Sequence, residues 1–275
     1  MEFWFGSVVF FVFGAIVGSF LNVLIIRLHT GRSATGRSGC MSCEAPLNPL
    51  QLVPVFSYFY LRGRCARCGC AISLQYPLVE LATALLFVLV WSEVLPVTHT
   101  LILLAIVSTL ILIVAYDLRH TIIPDEAVYV FITLAFLWGV LDVLGSSFPE
   151  TAFGIFAVVV GGLAIAFPLW VLWAVSHGAW MGFGDIKLAL GIGLMLGIYG
   201  GLQALLLAFV LGAVVGGALM YVPGMLARVV QTAPLSIPRA RFTMKSEIPF
   251  APFLLAGFLL VLFFDIDVIA LLTFI

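Results

Sequence analysis

The stretch FWFGSVVFFVFGAIVGSFLNVLII, residues 3–26, decides the fold class of this chain. It carries no charged residue, and as a helix it exceeds the roughly 20 residues needed to cross the apolar core of a bilayer. Glu2 stands where a cleavable signal peptide would carry basic residues, and no small-residue cleavage site follows the run. We therefore expect residues 1–26 to form a first transmembrane helix that stays in the membrane.

Composition extends this inference to the whole chain of 275 residues. Hydrophobic residues make up 64% of it, charged residues only 9%, and the mean hydropathy is +1.26. Such a chain cannot fold as an ordinary soluble globule and must use the bilayer as its solvent. The sequence predicts an all-α polytopic membrane protein with about eight transmembrane helices. These fall near residues 3–26, 77–94, 99–116, 126–144, 152–175, 186–200, 202–226 and 249–272.

The distribution of basic residues orients these helices. With the N-terminus outside, the loops that face the cytosol are 27–76, 117–125, 176–185 and 227–248. Lys and Arg concentrate in these loops, as the positive-inside rule requires, and the opposite loops contain none. The basic residues concerned are Arg27, Arg32, Arg37, Arg62, Arg64, Arg67, Arg119, Arg228, Arg239, Arg241 and Lys245, with Lys187 at the inner end of the sixth helix.

The first cytosolic loop contains two cysteine pairs, Cys40-x2-Cys43 and Cys65-x2-Cys68. This spacing is typical of a structural Zn²⁺ site, because each pair presents two thiolates to one tetrahedral ion. The alternatives are free thiols, or disulfides, which would need an oxidising compartment. Cys70 is the odd cysteine, either a spare small side chain or a replacement ligand. The predicted domains are the first helix (1–26), a cytosolic zinc loop (27–76) and a transmembrane core (77–275).

Two aspartates carry the strongest chemical signal, because an ionisable group at membrane depth is costly. Asp117 lies at the inner end of the third predicted helix and Asp185 at the inner start of the sixth, so both fall at one depth. Two such carboxylates can share a proton, as in aspartic proteases, with one acting as general base and the other as hydrogen-bond donor. The alternatives are an ion pair between Asp117 and Arg119 and a helix cap at Asp185.

Other acidic residues have simpler interpretations. Asp125, after a proline, is expected to cap a helix N-terminus. Glu80, early in the second helix, either reaches the membrane interface or faces a polar pocket, where it would contact substrate. The sequence assigns no role to Asp142, Asp265 or Asp267.

Five segments in order resemble the bacterial type IV prepilin peptidase family of membrane-embedded GxGD aspartyl proteases. The resemblance covers most of the chain. The segments are Gly18–Val23 with Arg27-Leu28, the two-pair cysteine loop, Tyr76–Leu81, Asp117 with the Ile123-Pro124-Asp125 run, and Gly182-Phe183-Gly184-Asp185.

The resemblance implies an enzyme of the bacterial inner membrane whose active site faces the cytosol. It would cut the basic leader from type IV prepilins or type II secretion pseudopilins, with Asp117 and Asp185 as catalytic residues, and then N-methylate the new N-terminal residue with S-adenosylmethionine. Gly182 and Gly184 would let the substrate strand approach Asp185. No sequence signature for the methyl donor is visible, so its binding residues are unknown. Substrate and lipid are the expected partners, nucleic acid is not, and the oligomeric state stays open.

Two other functions fit parts of the sequence. A presenilin-like intramembrane protease would share the GxGD motif, but the cysteine loop argues against it. A noncatalytic zinc-tethered transporter or scaffold could use its aspartates to conduct protons. Against that, no pair of interrupted helices places polar residues near the midplane.

Overall fold

The computed structural model describes residues 2–28, 36, 38–144, 150–221, 249–264 and 266–268. Within these ranges the chain is helical and forms no strand beyond two isolated bridges, which confirms the all-α prediction. Asp265, Arg32, Arg37 and the predicted basic loop 227–248 lie outside the described residues. The helices are α1 (Glu2–Arg27), α2 (Phe56–Tyr60), α3 (Gln75–Ser92), α4 (Val97–His120), α5 (Asp125–Val143), α6 (Glu150–Ser176), α7 (Phe183–Tyr221) and α8 (Ala251–Phe264), with a 3₁₀ turn at Pro49–Leu52.

Six of the described helices are long and apolar enough to cross a membrane, and α8 is a shorter apolar helix. The sixth and seventh predicted spans form one 39-residue helix, α7, which is interrupted at Gly197 with φ 69° and ψ −169°. A Cβ at Gly201 would lie 3.4 Å from the Cα of Gly193, whereas eight residues of straight helix would separate them by about 12 Å. The chain therefore turns back at Gly197, and α7 supplies two spans, in agreement with a total of about eight.

Two helix boundaries differ from the prediction in ways that matter for the aspartates. Helix α4 continues to His120 instead of ending at 116, so Asp117 lies within its last turn. Helix α7 begins at Phe183 instead of 186, so Asp185 lies in its first turn. Hydrophobic windows locate spans by their apolar residues and miss the polar helical turns at their ends.

The chain divides into two compact units, and among the described residues the division falls between Ala115 and Tyr116, inside α4. In the first unit α1 packs along α3. A Cβ at Gly14 would lie 2.7 Å from the Cα of Ala84, and one at Gly18 would lie 2.7 Å from the Cα of Glu80. Small residues four apart thus let the two helices approach to backbone contact, as is common in membranes. The predicted three-part division at residues 26 and 76 stays a prediction.

In the second unit α7 packs against α5, α6 and α8. A Cβ at Gly161 of α6 would lie 2.8 Å from the carbonyl oxygen of Gly193, so these two helices also cross at glycine. After α8, Asp267 accepts hydrogen bonds from the Tyr199 hydroxyl at 2.8 Å and the Gln203 amide at 3.2 Å. Asp267 therefore ties the end of this unit to the second half of α7.

Candidate active site and metal centre

Asp117 is a buried carboxylate in the last turn of α4. The residue is only 4% exposed, and its Oδ2 atom has no hydrogen-bond partner within the part of the chain that the structure describes. Arg119, two residues later, is exposed, and the structure records no ion pair between the two side chains. The alternative of a simple ion pair at the interface is therefore not what the structure shows. A buried, partly unsatisfied carboxylate is instead typical of a reactive site.

Asp185 is the second buried carboxylate, at 6% exposure, and its Oδ1 atom also has no hydrogen-bond partner in the described ranges. It sits inside the first turn of α7, three positions past the cap position at Gly182, so the capping alternative is wrong in position. The backbone N–H of Gly182 donates to its carboxylate, and the carboxylate interacts electrostatically with that of Asp117. The structure thus brings the predicted aspartate pair, Asp117 and Asp185, together in one unit.

The two aspartates come within electrostatic range of each other because the turn after α4 packs on the first turn of α7. A Cβ at Gly184 would lie 2.9 Å from both Cβ and Cδ1 of Ile123, so only glycine allows this approach. A Cβ at Gly182 would lie 3.6 Å from Oδ2 of Asp185, an ordinary contact that would cover one side of the carboxylate. The two glycines therefore have different structural effects. Their predicted contact with substrate stays a prediction.

A second contact joins the same two segments. Lys187 donates to Oδ1 of Asp125 at 2.7 Å, and its ammonium lies 5.1 Å from the ring centre of Tyr129 and 5.4 Å from that of Phe183. The predicted cap at Asp125 is wrong, because Pro124 occupies the cap position and no side-chain capping bond forms. The carboxylate of Asp125 instead accepts the hydrogen bond from Lys187, and this ion pair attaches α5 to α7 next to the aspartate pair.

This arrangement suits acid–base chemistry. Two carboxylates that are close together and largely removed from water cannot both carry a charge without a large cost, so they favour a shared proton. One then acts as general base and the other as hydrogen-bond donor. Each has a buried oxygen atom still available for a further hydrogen bond.

The cysteine loop is built from two equivalent turns in the first unit. In the first turn, the N–H of Cys40 donates to the carbonyl oxygen of Ala45, and the N–H of Glu44 donates to that of Cys40. In the second turn, the N–H of Cys65 donates to the carbonyl oxygen of Cys70, and the N–H of Gly69 donates to that of Cys65. The fourth residue after each leading cysteine has positive φ, 56° at Glu44 and 70° at Gly69. Each turn directs two thiols inward, so the pairs predicted from spacing meet in space.

The sulfur atoms of Cys40, Cys43, Cys65 and Cys68 lie within 4.8 Å of one another and could hold a metal ion. Cys40 and Cys68 are 3.8 Å apart, close to the edge of a tetrahedron with metal–sulfur bonds of about 2.3 Å. Backbone N–H groups of Cys43 and Ser42 lower the pKa of the Cys40 thiol to about 6, which favours the thiolate that a metal requires. Cys70 lies beside this group, 3.4 Å from Cys40.

Glu80, in the first unit, is buried and already has partners. Its carboxylate accepts the backbone N–H of Val55 at 2.6 Å and the hydroxyl of Ser19. Of the two interpretations in the sequence, a polar pocket is the one observed, since the residue is 7% exposed. Its contact with substrate stays a prediction.

Sequence reasoning missed two polar residues that the structure singles out. Lys187 enters the sequence argument only through the charge distribution, and no local signal identifies its partner, because Asp125 lies 62 residues earlier in the chain. Asn22 enters only as part of the Gly18–Val23 segment, although an amide inside a membrane helix is itself costly.

The chain matches two protein-family models. Residues 12–94 match the bacterial peptidase A24 N-terminal domain, and residues 104–217 match the type IV leader peptidase family. A prepilin leader peptidase/N-methyltransferase of Aeromonas salmonicida (strain A449) is 34% identical over 238 residues, covering 75% of this chain and 78% of the relative. The protein of that name from Bacillus subtilis (strain 168) is 28% identical over 263 residues, covering 95% and 96%. No solved structure matches the chain.

Proposed function

The chain belongs to the type IV leader peptidase family, and from this premise we propose that it cleaves leader peptides from prepilins or pseudopilins and N-methylates the new N-terminal residue. The observation that carries the peptidase half is the buried aspartate pair, in which each member has an oxygen atom without a hydrogen-bond partner among the residues that the structure describes. The family match favours this function over the presenilin-like protease and the transporter or scaffold.

Cleavage would proceed by activation of water. The ionised member of the aspartate pair takes a proton from a water molecule that attacks the scissile carbonyl carbon. The protonated member donates a hydrogen bond to the carbonyl oxygen, where negative charge develops. The proton taken from water then passes to the leaving amine as the C–N bond breaks, and no covalent intermediate with the enzyme forms. The open side of Asp185 at Gly182 is where an extended peptide would lie, because glycine presents no side chain there.

The four cysteines would hold one Zn²⁺ ion with a structural role. A tetrahedral site with four thiolates leaves no open position for substrate, and it stabilises a loop with little apolar core of its own. We place this loop and the aspartate pair on the cytosolic face of the bacterial inner membrane, on the evidence of the basic residues. S-adenosylmethionine would supply the methyl group for the second reaction.

The experiment compares Asp117→Asn and Asp185→Asn with the wild-type enzyme on a synthetic prepilin N-terminal peptide in detergent. Each substitution keeps the side-chain shape but removes the shared proton site, so cleavage should fall by about 10³-fold or more. Exposed Asp142, changed to Asn, provides the matched control and should cleave normally. Cleavage near the wild-type rate in either dyad variant would reject the assignment.

A further inference from the structure

The first unit contains two buried amide atoms that the cleavage chemistry leaves unexplained. Among the described residues, Oδ1 of Asn22, in a residue 1% exposed, and Nε2 of Gln75 have no hydrogen-bond partner. Buried amide atoms are nearly always paired, because an unsatisfied one forfeits its hydration without compensation. Oδ1 of Asn22 is an acceptor and Nε2 of Gln75 is a donor. A ligand that satisfied both would therefore carry one hydrogen-bond donor and one acceptor.

The orientation of these amides is set by their neighbours. Nδ2 of Asn22 donates to the carbonyl oxygen of Tyr76 at 3.1 Å, which fixes Oδ1 as the acceptor left over. Tyr76 follows Gln75 in the first turn of α3, so the contact brings the two amides to the same end of the α1–α3 pair. Glu80, one turn further along α3, adds a buried carboxylate on the side that faces Ser19 of α1.

These three side chains define the class of ligand. An amide oxygen and a carboxylate both attract an amine, and an amide N–H attracts a carboxylate or carbonyl oxygen. A phosphate group offers no donor and would be repelled by Glu80, and a metal cation would leave the Gln75 amide unsatisfied. The group that fits all three is an amine with a carboxylate or carbonyl on the adjacent carbon.

We propose that Asn22, Gln75 and Glu80 form a binding site for such an α-amino-acyl group, and that this site serves the methylation half of the reaction. The inference rests on the proposed function, because N-methylation involves two groups of this class. One is the amino-acid end of S-adenosylmethionine, and the other is the newly exposed N-terminal residue of the substrate. Cleavage by the aspartate pair requires neither amide.

Access to the site would involve the loop segment around Val55. This β-branched residue has φ 62° and ψ −54°, a conformation that such side chains rarely adopt, and its N–H is held by Glu80 at 2.6 Å. A ligand amine would replace that N–H as the partner of the carboxylate. Val55 would then be released from its strained conformation. Replacing the Val55 N–H by the ligand amine as the partner of Glu80 therefore favours movement of this loop segment away from the site.

The test uses the full-length enzyme with Asn22→Leu, which removes the acceptor, and Gln75→Glu, which replaces the donor by an acceptor. Mass spectrometry of one peptide separates cleavage from methylation. We expect cleavage within twofold of wild type and methylation reduced at least tenfold in both variants. Ser92→Ala, at the opposite end of α3, is the matched control and should leave both reactions unchanged.

Calorimetric binding of S-adenosylhomocysteine, and separately of a peptide that begins with the mature N-terminal phenylalanine, identifies the source of the group. The probe whose affinity falls at least tenfold in both variants represents the group that the site binds. If both affinities and methylation stay within twofold of wild type, or if cleavage and methylation decline together, the proposal is wrong. If the wild-type enzyme binds these ligands but does not cut the prepilin, the proposed peptidase function fails while the binding site stands.

Discussion

Substitution of Gly184 by alanine tests how the aspartate pair is held. The added methyl would lie 2.9 Å from Cβ and Cδ1 of Ile123 and 3.3 Å from its Cγ1. Carbon atoms prefer separations of about 3.5–4.0 Å, so the first turn of α7 must move by roughly 0.6 Å or more. Because Asp185 is the next residue, its carboxylate moves with that turn.

The expected effect is much larger on catalysis than on stability. A misplacement of about 1 Å can cost on the order of 10²-fold in rate, so a shift of about half that size should lower kcat by roughly 10-fold or more. Overpacking costs about 1–3 kcal/mol, and alanine regains up to about 1 kcal/mol of helix propensity over glycine. The protein should therefore lose at most about 3 kcal/mol of stability and remain folded.

Steady-state cleavage of a prepilin peptide gives kcat and KM separately, and thermal unfolding in detergent monitored by circular dichroism gives the change in stability. Gly217→Ala is the matched control, because nothing lies within 4 Å of a Cβ at that position. The double variant Gly184→Ala with Ile123→Gly removes all three crowding atoms, including the Cβ that alanine would keep, and should recover several-fold in kcat. Wild-type kcat in the single variant, or no recovery in the double, would refute the packing argument.

Three further predictions concern other contacts. Lys187→Met and Asp125→Asn should each lower kcat several-fold. Each should destabilise the protein by less than about 1 kcal/mol, because the Asp125 side chain is 59% exposed. Unchanged kinetics would exclude a positioning role for the ion pair. Elemental analysis should find one zinc per chain, and Cys65→Ser should reduce it and make the loop sensitive to protease; a metal-free protein prepared without chelators would contradict this. Gly197→Ala should lower the melting temperature by the equivalent of about 1–2 kcal/mol, because φ there is 69°, while folded molecules cleave normally; an unchanged melting temperature would count against a turn at this residue.

Much of the fold follows from the sequence because the bilayer imposes simple rules. Apolar length locates the spans, and buried acids such as Asp117 and Asp185 stand out because they are costly in that environment. The spacing of the cysteines likewise predicts their cluster, since each short turn fixes two thiols locally. These inferences need only local sequence.

The failures concern contacts between distant segments. Asp125 has every local feature of a helix cap, but a lysine 62 residues away along the chain takes its carboxylate. The amide of Asn22 and the carboxylate of Glu80 are near the contact of α1 with α3, whose register no local pattern reveals. The last turn of α4 and the first turn of α7 extend past the apolar windows, because packing within the protein stabilises these two turns.

The structure gives a physical reason for the pairing of the Ile-Pro-Asp run with the GxGD motif. Ile123 meets Gly184, and Asp125 meets Lys187, so the two segments lie side by side over a few residues with one apolar and one ionic contact. Asp185 lies between the two contact points on α7. A substitution in either segment should therefore alter the position of Asp185. A substitution that compensates for it should be sought in the other segment rather than in more distant parts of the same helix.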